Sequence, residues 1–312
     1  MKQRPEISLV VPVLNEETII QELVARSKAA LASVVPSWEI ILVDDGSTDD
    51  TLAAICTERA LDPSIRYISF SRNFGHQMAI TAGLDKAEGH CVVIMDGDLQ
   101  DPPELVPQLY TKAGQGFDVV YAKRRMRHGE SSMKRWTAKA FYRMLRSITR
   151  VEIPLDTGDF RLITRRVLVQ LNGMREQDRF LRGQIAWLGF KQGEVLYDRQ
   201  GRAAGDTKYS LRKMVSLAMT GILSFSRLPL RLASVFGSVV SLVAFGIILY
   251  ALWSKFVRHD VITGWTSVII SSMFIGGVQL LCLGVIGEYI SRISLEVRQR
   301  PMYVIASTSE DQ

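Results

Sequence analysis

Three cysteines, at positions 56, 91 and 282, are all that this chain of 312 residues contains. They stand far apart, with no CxxC pair and no Cys/His spacing, which argues against a disulfide framework and a structural zinc site. They read as small buried hydrophobes in a reducing compartment. Neither GxGxxG nor GxxxxGK[ST] occurs, so neither a dinucleotide fingerprint nor a P-loop is indicated. His76, His90, His128 and His259 show no ligand spacing and receive no chemistry. The N-terminus lacks the pattern of a signal peptide: Met1 to Glu6 is polar, and the apolar run Ile7 to Val13 is too short. Charged residues make up only 22% against 47% hydrophobic, which excludes a disordered or fibrous chain. The formal charge of +6 suits an anionic partner without choosing among nucleic acid, nucleotide and membrane surface.

Charge is missing altogether from two stretches, Leu232 to Trp253 and Trp265 to Gly287. Each is about the length needed for a helix to cross ~30 Å of hydrocarbon, and neither shows the polar stripe of a long core helix. They read as two membrane spans. Arg227 and Arg231 precede the first, while Arg292, Arg298 and Arg300 follow the second. The connection between them carries only Lys255 and Arg258, so the positive-inside rule puts both termini in the cytoplasm. Residues 131–150 and 210–227 combine an apolar face at helical spacing with basic residues, as expected of helices in the headgroup layer. The organisation expected is a catalytic domain over 1–209, a juxtamembrane helix over 210–229, two transmembrane helices within 230–290 and a cytoplasmic tail over 291–312.

The first two-thirds alternate between strand and helix patterns. Ile7–Val13 is a continuous apolar run, as a strand buried on both faces requires. Trp38–Val43, Ile65–Phe70, Cys91–Met95 and Asp118–Ala122 repeat it, with helical stretches near 17–34, 50–60, 75–88 and 103–115. The fold class expected is α/β, a mostly parallel sheet with helices on both faces. Ligands bind such sheets beyond the carboxyl ends of the strands. Polar clusters sit there: Asn15-Glu16-Glu17, Asp44-Asp45-Gly46-Ser47, Arg72-Asn73 and Asp96-Gly97-Asp98.

Asp96 and Asp98 stand one residue apart at a strand end, where two carboxylates can share a divalent cation and Gly97 lets backbone approach a ligand. Gln100 adds a neutral oxygen, and Pro102-Pro103 starts the next helix. Mg²⁺ or Mn²⁺ held there would clamp a substrate diphosphate. A solvated turn carries the same letters, but the full run DGDLQDPPE favours the metal. Asp44 and Asp45 read either as an Asx turn before the helix near Asp50 or as acceptors for nucleobase N–H groups, and one can cap while the other binds.

The runs VVPVLNEE (10–17), VDDGSTDDT (43–51), SRNFG (71–75) and MDGDLQDPPE (95–104) resemble family 2 glycosyltransferases of the GT-A fold. LDTGDFRL (155–162), GDTKYS (205–210) and GEYISRISLEVRQRP (287–301) narrow the resemblance to polyprenyl-phosphate glycosyltransferases, a group including dolichol-phosphate mannose synthase and bacterial bactoprenol glucosyltransferases. The resemblance implies inverting transfer of a sugar from a nucleotide diphosphate sugar to a polyprenyl phosphate. It implies that Pro12, Asn15 and Glu16 lie on the nucleotide side, that Asp44 or Asp45 meets a base resembling uracil, and that Asp96 and Asp98 match the DxD motif with Gln100 beside the metal. It places Arg124 against the lipid phosphate, although Ala122 stands where the family has glycine. Arg202, Lys208 and Tyr209 fall in a loop that closes over phosphates, and Asp159 takes the position of the base.

The acceptor is a phosphate monoester whose second pKa is about 6, so it arrives largely ionised. Asp159 is therefore better suited to orienting the acceptor or offsetting positive charge than to acting as a strong base; the competing reading is a helix cap or an ion pair with Arg161. Arg124, Arg127, Arg199 and Arg202 would offset repulsion between two anionic substrates. Glucose from UDP-glucose is the expected transfer, with galactose, mannose (from GDP-mannose) and N-acetylhexosamine left open. The product would be a lipid-linked sugar donor for modification of cell-envelope glycans such as lipopolysaccharide. A processive polysaccharide synthase is disfavoured because Gln184-Ile185-Ala186-Trp187 departs from QxxRW. A membrane scaffold is disfavoured by intact Asp96, Asp98, Asp159 and Arg124. The expected partners are a nucleotide sugar, a polyprenyl phosphate, the membrane and further copies of the chain, a tetramer included, with no nucleic acid.

Overall fold

The computed structural model describes residues 4–125, 157–177, 179–197, 228–253 and 264–310. Arg127, Arg199, Arg202, Lys208, Tyr209 and the expected interfacial stretches 131–150 and 210–227 lie outside the described residues. The chain divides into two compact units, Met1–Tyr209 with Pro301–Gln312, and Ser210–Arg300.

In the first unit the order is β1 (Ile7–Val13), α1 (Ile20–Ala32), β2 (Trp38–Asp44), α2 (Thr51–Leu61), β3 (Ile65–Phe70), α3 (His76–Lys86) and β4 (Cys91–Ile94). A 3-10 turn, Pro103–Leu105, leads into α4 (Val106–Gly114), followed by β5 (Val119–Arg124) and β6 (Thr157–Thr164). Then come α5 (Arg165–Gly173), α6 (Leu181–Trp187) and β7 (Gln192–Tyr197). The strands form one eight-stranded sheet in the order β7-β5-β6-β4-β1-β2-β3-β8, where β8 is Ile305–Thr308. The pairs β1–β2, β1–β4, β2–β3 and β5–β7 are parallel, while β6 runs antiparallel between β4 and β5, and β8 antiparallel to β3.

Successive residues of a strand face opposite sides of the sheet, so two cores result. Leu9, Val11, Ile40 and Leu42 pack with α1, α2 and α4 on one face. Val10, Ile41, Val43 and Ile94 pack with α3, α5 and α6 on the other. Burial on both faces is why β1 reads as an almost wholly apolar run, all seven of its residues being buried and its one polar residue, Ser8, donating to Glu39 Oε1 at 2.5 Å.

Five strands lie where the apolar runs suggest, with β5 two residues longer at its end than expected. β6, β7 and β8 carry no such run. The stretch expected as a tail contains β8, which completes the sheet edge: Ile68 pairs with Thr308 and Ser69 with Ser307. Tyr303 stacks on Phe70 with ring centroids 5.1 Å apart and donates its hydroxyl to Asp85 Oδ2 at 2.7 Å.

In the second unit α7 (Leu228–Trp253) and α8 (Trp265–Arg298) form a hairpin, with Cys282 Sγ 3.8 Å from the Ala233 carbonyl. Among the described residues one helical stretch, Ser271–Arg298, is long and apolar enough to cross a membrane; α7 supplies a shorter apolar stretch, Ala233–Ile247. Leu242, Met273 and Leu280 point outward and are exposed.

Candidate active site

The carboxyl ends of β1 to β4 bring the polar clusters together, and the loops are stitched to one another. Thr48 N–H donates to Asn15 Oδ1 at 2.8 Å, and Asn15 N–H to Ser47 Oγ at 3.0 Å. Glu16 N–H donates to Thr51 Oγ1 at 2.8 Å, and Asp50 N–H to Glu17 Oε2 at 2.9 Å. Asn15 adopts φ 55°, a left-handed conformation that asparagine tolerates better than most residues. The Glu16 carboxyl is raised above its ordinary value by burial and by the charges of Asp98 and Asp49.

Both aspartates at the end of β2 are engaged within the protein. Asp44 accepts from Ser47 N–H at 2.9 Å, an Asx turn, and from Ser69 Oγ at 2.8 Å. Asp45 accepts from Phe74 N–H at 2.7 Å and Gly75 N–H at 3.0 Å, pinning the loop that follows β3. Pro12 is buried in β1. The DGD loop lies against it: a Cβ on Gly97 would stand 2.9 Å from the Pro12 carbonyl and 2.8 Å from Val13 Cγ1. That close approach explains the glycine between the two aspartates.

Asp98 Oδ1 accepts from Gln100 N–H at 3.1 Å, and the Gln100 side chain is buried. Asp96 turns the other way. Ile94 pairs with Arg161 in the antiparallel β4–β6 ladder, so continuing the register by two residues sets Asp159 opposite Asp96. Asp159 is 6% exposed yet ionised in character. Arg182 grips it with two bonds, Nε to Oδ1 at 2.8 Å and Nη2 to Oδ2 at 3.0 Å. Arg161, 1% exposed, reaches Oδ1 at 3.4 Å and also donates to the Asp159 and Gly158 carbonyls. His76 Nε2 lies 3.3 Å from Asp159 Oδ2 and 3.4 Å from Asp96 Oδ1.

The electrostatics follow from this packing. Burial alone would raise the Asp159 carboxyl, but the His76 hydrogen bond and the Arg182 and Arg161 charges hold it well below the usual carboxylate range. Asp96 is pushed up to about 6 by burial, with His76 opposing and the charges of Asp159, Asp101 and Asp98 adding to the rise. Burial opposes a charged imidazole at His76, yet the Asp159 bond and the Asp96 charge outweigh it and raise its pKa. Ligand atoms of His76, Asp96 and Asp159 all lie within 4.8 Å of one another and could hold a metal ion.

The structure thus joins Asp96 to Asp159, and neither Asp98 nor Gln100 belongs to that cluster. Arg124 closes β5, its backbone paired with Tyr197. Besides Arg161, the side chains that touch Asp159 are His76 and Arg182, to which the sequence assigns no role. A signal for His76 was present, because it follows the strand-end run SRNFG. Arg182 had none, since its partner stands 23 residues away on another element.

The sequence profile described as Glycosyl transferase family 2 matches residues 8–171, and that described as GtrB C-terminal hairpin matches residues 228–293. The chain is 45% identical over 305 residues to an uncharacterized glycosyltransferase, YkcC, of Bacillus subtilis (strain 168), across 98% of this chain and 94% of that one. It is 40% identical over 303 residues to the prophage bactoprenol glucosyl transferase homolog of Escherichia coli (strain K12), across 96% of this chain and 98% of that one. A solved structure of glucosyl-3-phosphoglycerate synthase from Mycobacterium tuberculosis, in complex with Mn²⁺, uridine diphosphate and phosphoglyceric acid, shares the fold. Its TM-score is 0.51 at 22% identity, covering 70% of this chain and 76% of that one.

Proposed function

The chain belongs to glycosyl transferase family 2, and from that premise we propose that it transfers glucose from UDP-glucose to a polyprenyl phosphate such as undecaprenyl phosphate, with inversion at the anomeric carbon. The observation that carries the proposal is the anchored Asp159 facing Asp96 across the end of the β4–β6 ladder. The acceptor chemistry is supported by the bactoprenol glucosyl transferase homolog that the chain matches nearly end to end.

A phosphate oxygen of the lipid attacks the anomeric carbon, the bond from that carbon to the diphosphate breaks, and the nucleotide leaves with the electron pair. The nucleophile is largely ionised at neutral pH, its second pKa being about 6. Asp159, held below the usual range by its hydrogen bonds and the arginine charges, is a weak proton acceptor. Its work is to fix the acceptor side of the site and to offset positive charge on the sugar. Asp44 and Asp45 organise the nucleotide side, together with Pro12, Asn15 and Glu16. Arg124, with Arg127, Arg202, Lys208 and Tyr209, would receive the lipid phosphate.

The donor set fits a divalent cation. Asp96 Oδ1 is buried with no hydrogen bond, and that burial, with the charges of Asp159, Asp101 and Asp98 adding to it, pushes the carboxyl up to about 6. Asp96 and Asp98, with Gln100 beside them, would hold Mg²⁺ or Mn²⁺. When bound, the cation supplies charge stabilisation for the departing diphosphate. We also assign α7 and α8 to two membrane crossings, with residues 1–209 and both termini on the cytoplasmic side. The support is the length of α8 and the arginines flanking the hairpin. The small residues of these helices suit packing between copies of the chain.

The test is nucleotide release by the full chain in nanodiscs. Undecaprenyl phosphate should trigger UDP release from UDP-glucose, faster than from other nucleotide sugars, and chelation of divalent metal should abolish it. No lipid-triggered release from any nucleotide sugar would overturn the proposal.

A further inference from the structure

We propose that His76 is a positioning residue for the transfer: pinned through its loop by Asp45, it bridges Asp159 and Asp96 and sets the spacing between the acceptor and donor sides of the site. The inference rests on the glycosyl-transfer reading of this site.

Three observations carry it. First, one ring nitrogen stands between two carboxylates, Nε2 lying 3.3 Å from Asp159 Oδ2 and 3.4 Å from Asp96 Oδ1. Asp96 Oδ1 has no hydrogen bond of its own. Two carboxylates facing each other repel, and an imidazole edge set between them, hydrogen-bonded to Asp159 and lying against Asp96, holds their separation.

Second, the ring is aimed by its backbone. His76 is the first residue of α3, and Gly75 before it has φ 102°, a conformation closed to most side-chain-bearing residues. Phe74 is fixed on both sides, edge-on to Phe70 with centroids 5.6 Å apart and covered by the Arg72 guanidinium at 4.0 Å.

Third, the pin itself is buried. Asp45, 4% exposed, receives the N–H groups of Phe74 and Gly75, the two residues that precede His76. An aspartate that could read a base is thereby placed to act on the reacting centre through two peptide units.

The experiment uses the full chain with His76→Ala, His76→Gln, Asp45→Asn and the His76→Ala/Asp45→Asn double variant. Misplacing a reacting group by about 1 Å can cost on the order of 100-fold. His76→Ala should therefore lower kcat by roughly 10- to 100-fold while leaving KM for UDP-glucose and UDP affinity by calorimetry nearly unchanged. His76→Gln retains a side-chain N–H and should recover most of the loss. In kcat at saturating UDP-glucose, which sets aside any loss of nucleotide affinity, Asp45→Asn should cost less than His76→Ala and add nothing to it in the double variant. Wild-type kcat in His76→Ala, no recovery in His76→Gln, or losses that multiply in the double variant would each overturn the relay.

A second readout needs no turnover, so failure of the relay is distinguishable from failure of the functional reading. With only four histidines in the chain, ¹⁵N-histidine labelling gives a tractable spectrum. The His76 Nε2 resonance should move in both Asp159→Asn and Asp45→Asn, although Asp45 bonds only to the loop backbone. A resonance indifferent to Asp45→Asn would overturn the relay even in a protein that transfers no sugar. ¹⁴N coupling to bound Mn²⁺ that disappears in His76→Gln would also overturn the bridge, making His76 a metal ligand instead.

Discussion

Asp159 is a buried carboxylate with a bidentate arginine, a second arginine and an imidazole around it. Such a group is costly to bury unless it is paired, and removing its charge leaves the arginines uncompensated. Asp159→Asn keeps the shape and removes the charge, so kcat should fall strongly. Because the lipid phosphate is already a dianion above about pH 7, the deficit should stay flat from about pH 7 to 9. A pH–rate profile at saturating lipid and metal checks this; recovery toward the wild-type rate at high pH would mark Asp159 as a base. At this scale the sequence exposed Asp96, Asp98 and Asp159, because each sits in a short motif whose letters carry the chemistry. It marked His76 only by its place after SRNFG and left Arg182 unmarked, because the first meets Asp159 across 83 residues and the second across 23. No local spacing encodes a contact made between a helix start, a strand and another helix.

Among the elements, α3 carries His76 at one end and lies directly on the sheet. A Cβ on Gly83 would meet Val10 Cγ1 at 2.3 Å and Val43 Cγ2 at 3.2 Å. β-branched valines on a central strand have little room to give. Gly83→Ala should push the helix outward and destabilise the protein by roughly 1–3 kcal/mol. Thermal melting of the full chain in detergent checks this, and an unchanged Tm would show that the helix can shift freely. β1 to β4 were legible because burial on both faces leaves mostly apolar letters. β6 was not, since Asp159 and Arg161 interrupt its pattern; the strand tolerates them because they pair with each other and Asp159 also pairs with Arg182. β7 alternates between covered and open positions with Glu194 among them, and its parallel partner β5 is far away in sequence. Sequence order announces neither partner.

For the molecule as a whole, residues 301–310 return to the first unit and fasten to it. Glu310 pairs with Arg66 at 2.7 Å and Lys86 at 3.1 Å, while Arg66 also binds Glu39 at 2.7 Å. The Lys86 and Arg66 bonds hold the Glu310 carboxyl below its ordinary value. A carboxyl depressed on folding contributes stability that is complete above its unfolded pKa, about 4.3, and is lost as pH falls through the folded value. The wild type should therefore melt higher than Glu310→Gln at neutral pH, and the gap should close between about pH 5 and pH 3. Melting both proteins across that range checks it; a constant gap would uncouple Glu310 from the fold. The sheet edge also has a history in time. β8 is made after both apolar helices, so β3 keeps an open edge while the hairpin is being synthesised. An unpaired edge strand is a template for association with other chains. Nascent chains crowded on one messenger would carry that open edge side by side, and translation that stalls between α8 and β8 would leave a full set of active-site residues on a sheet still able to recruit the wrong neighbour.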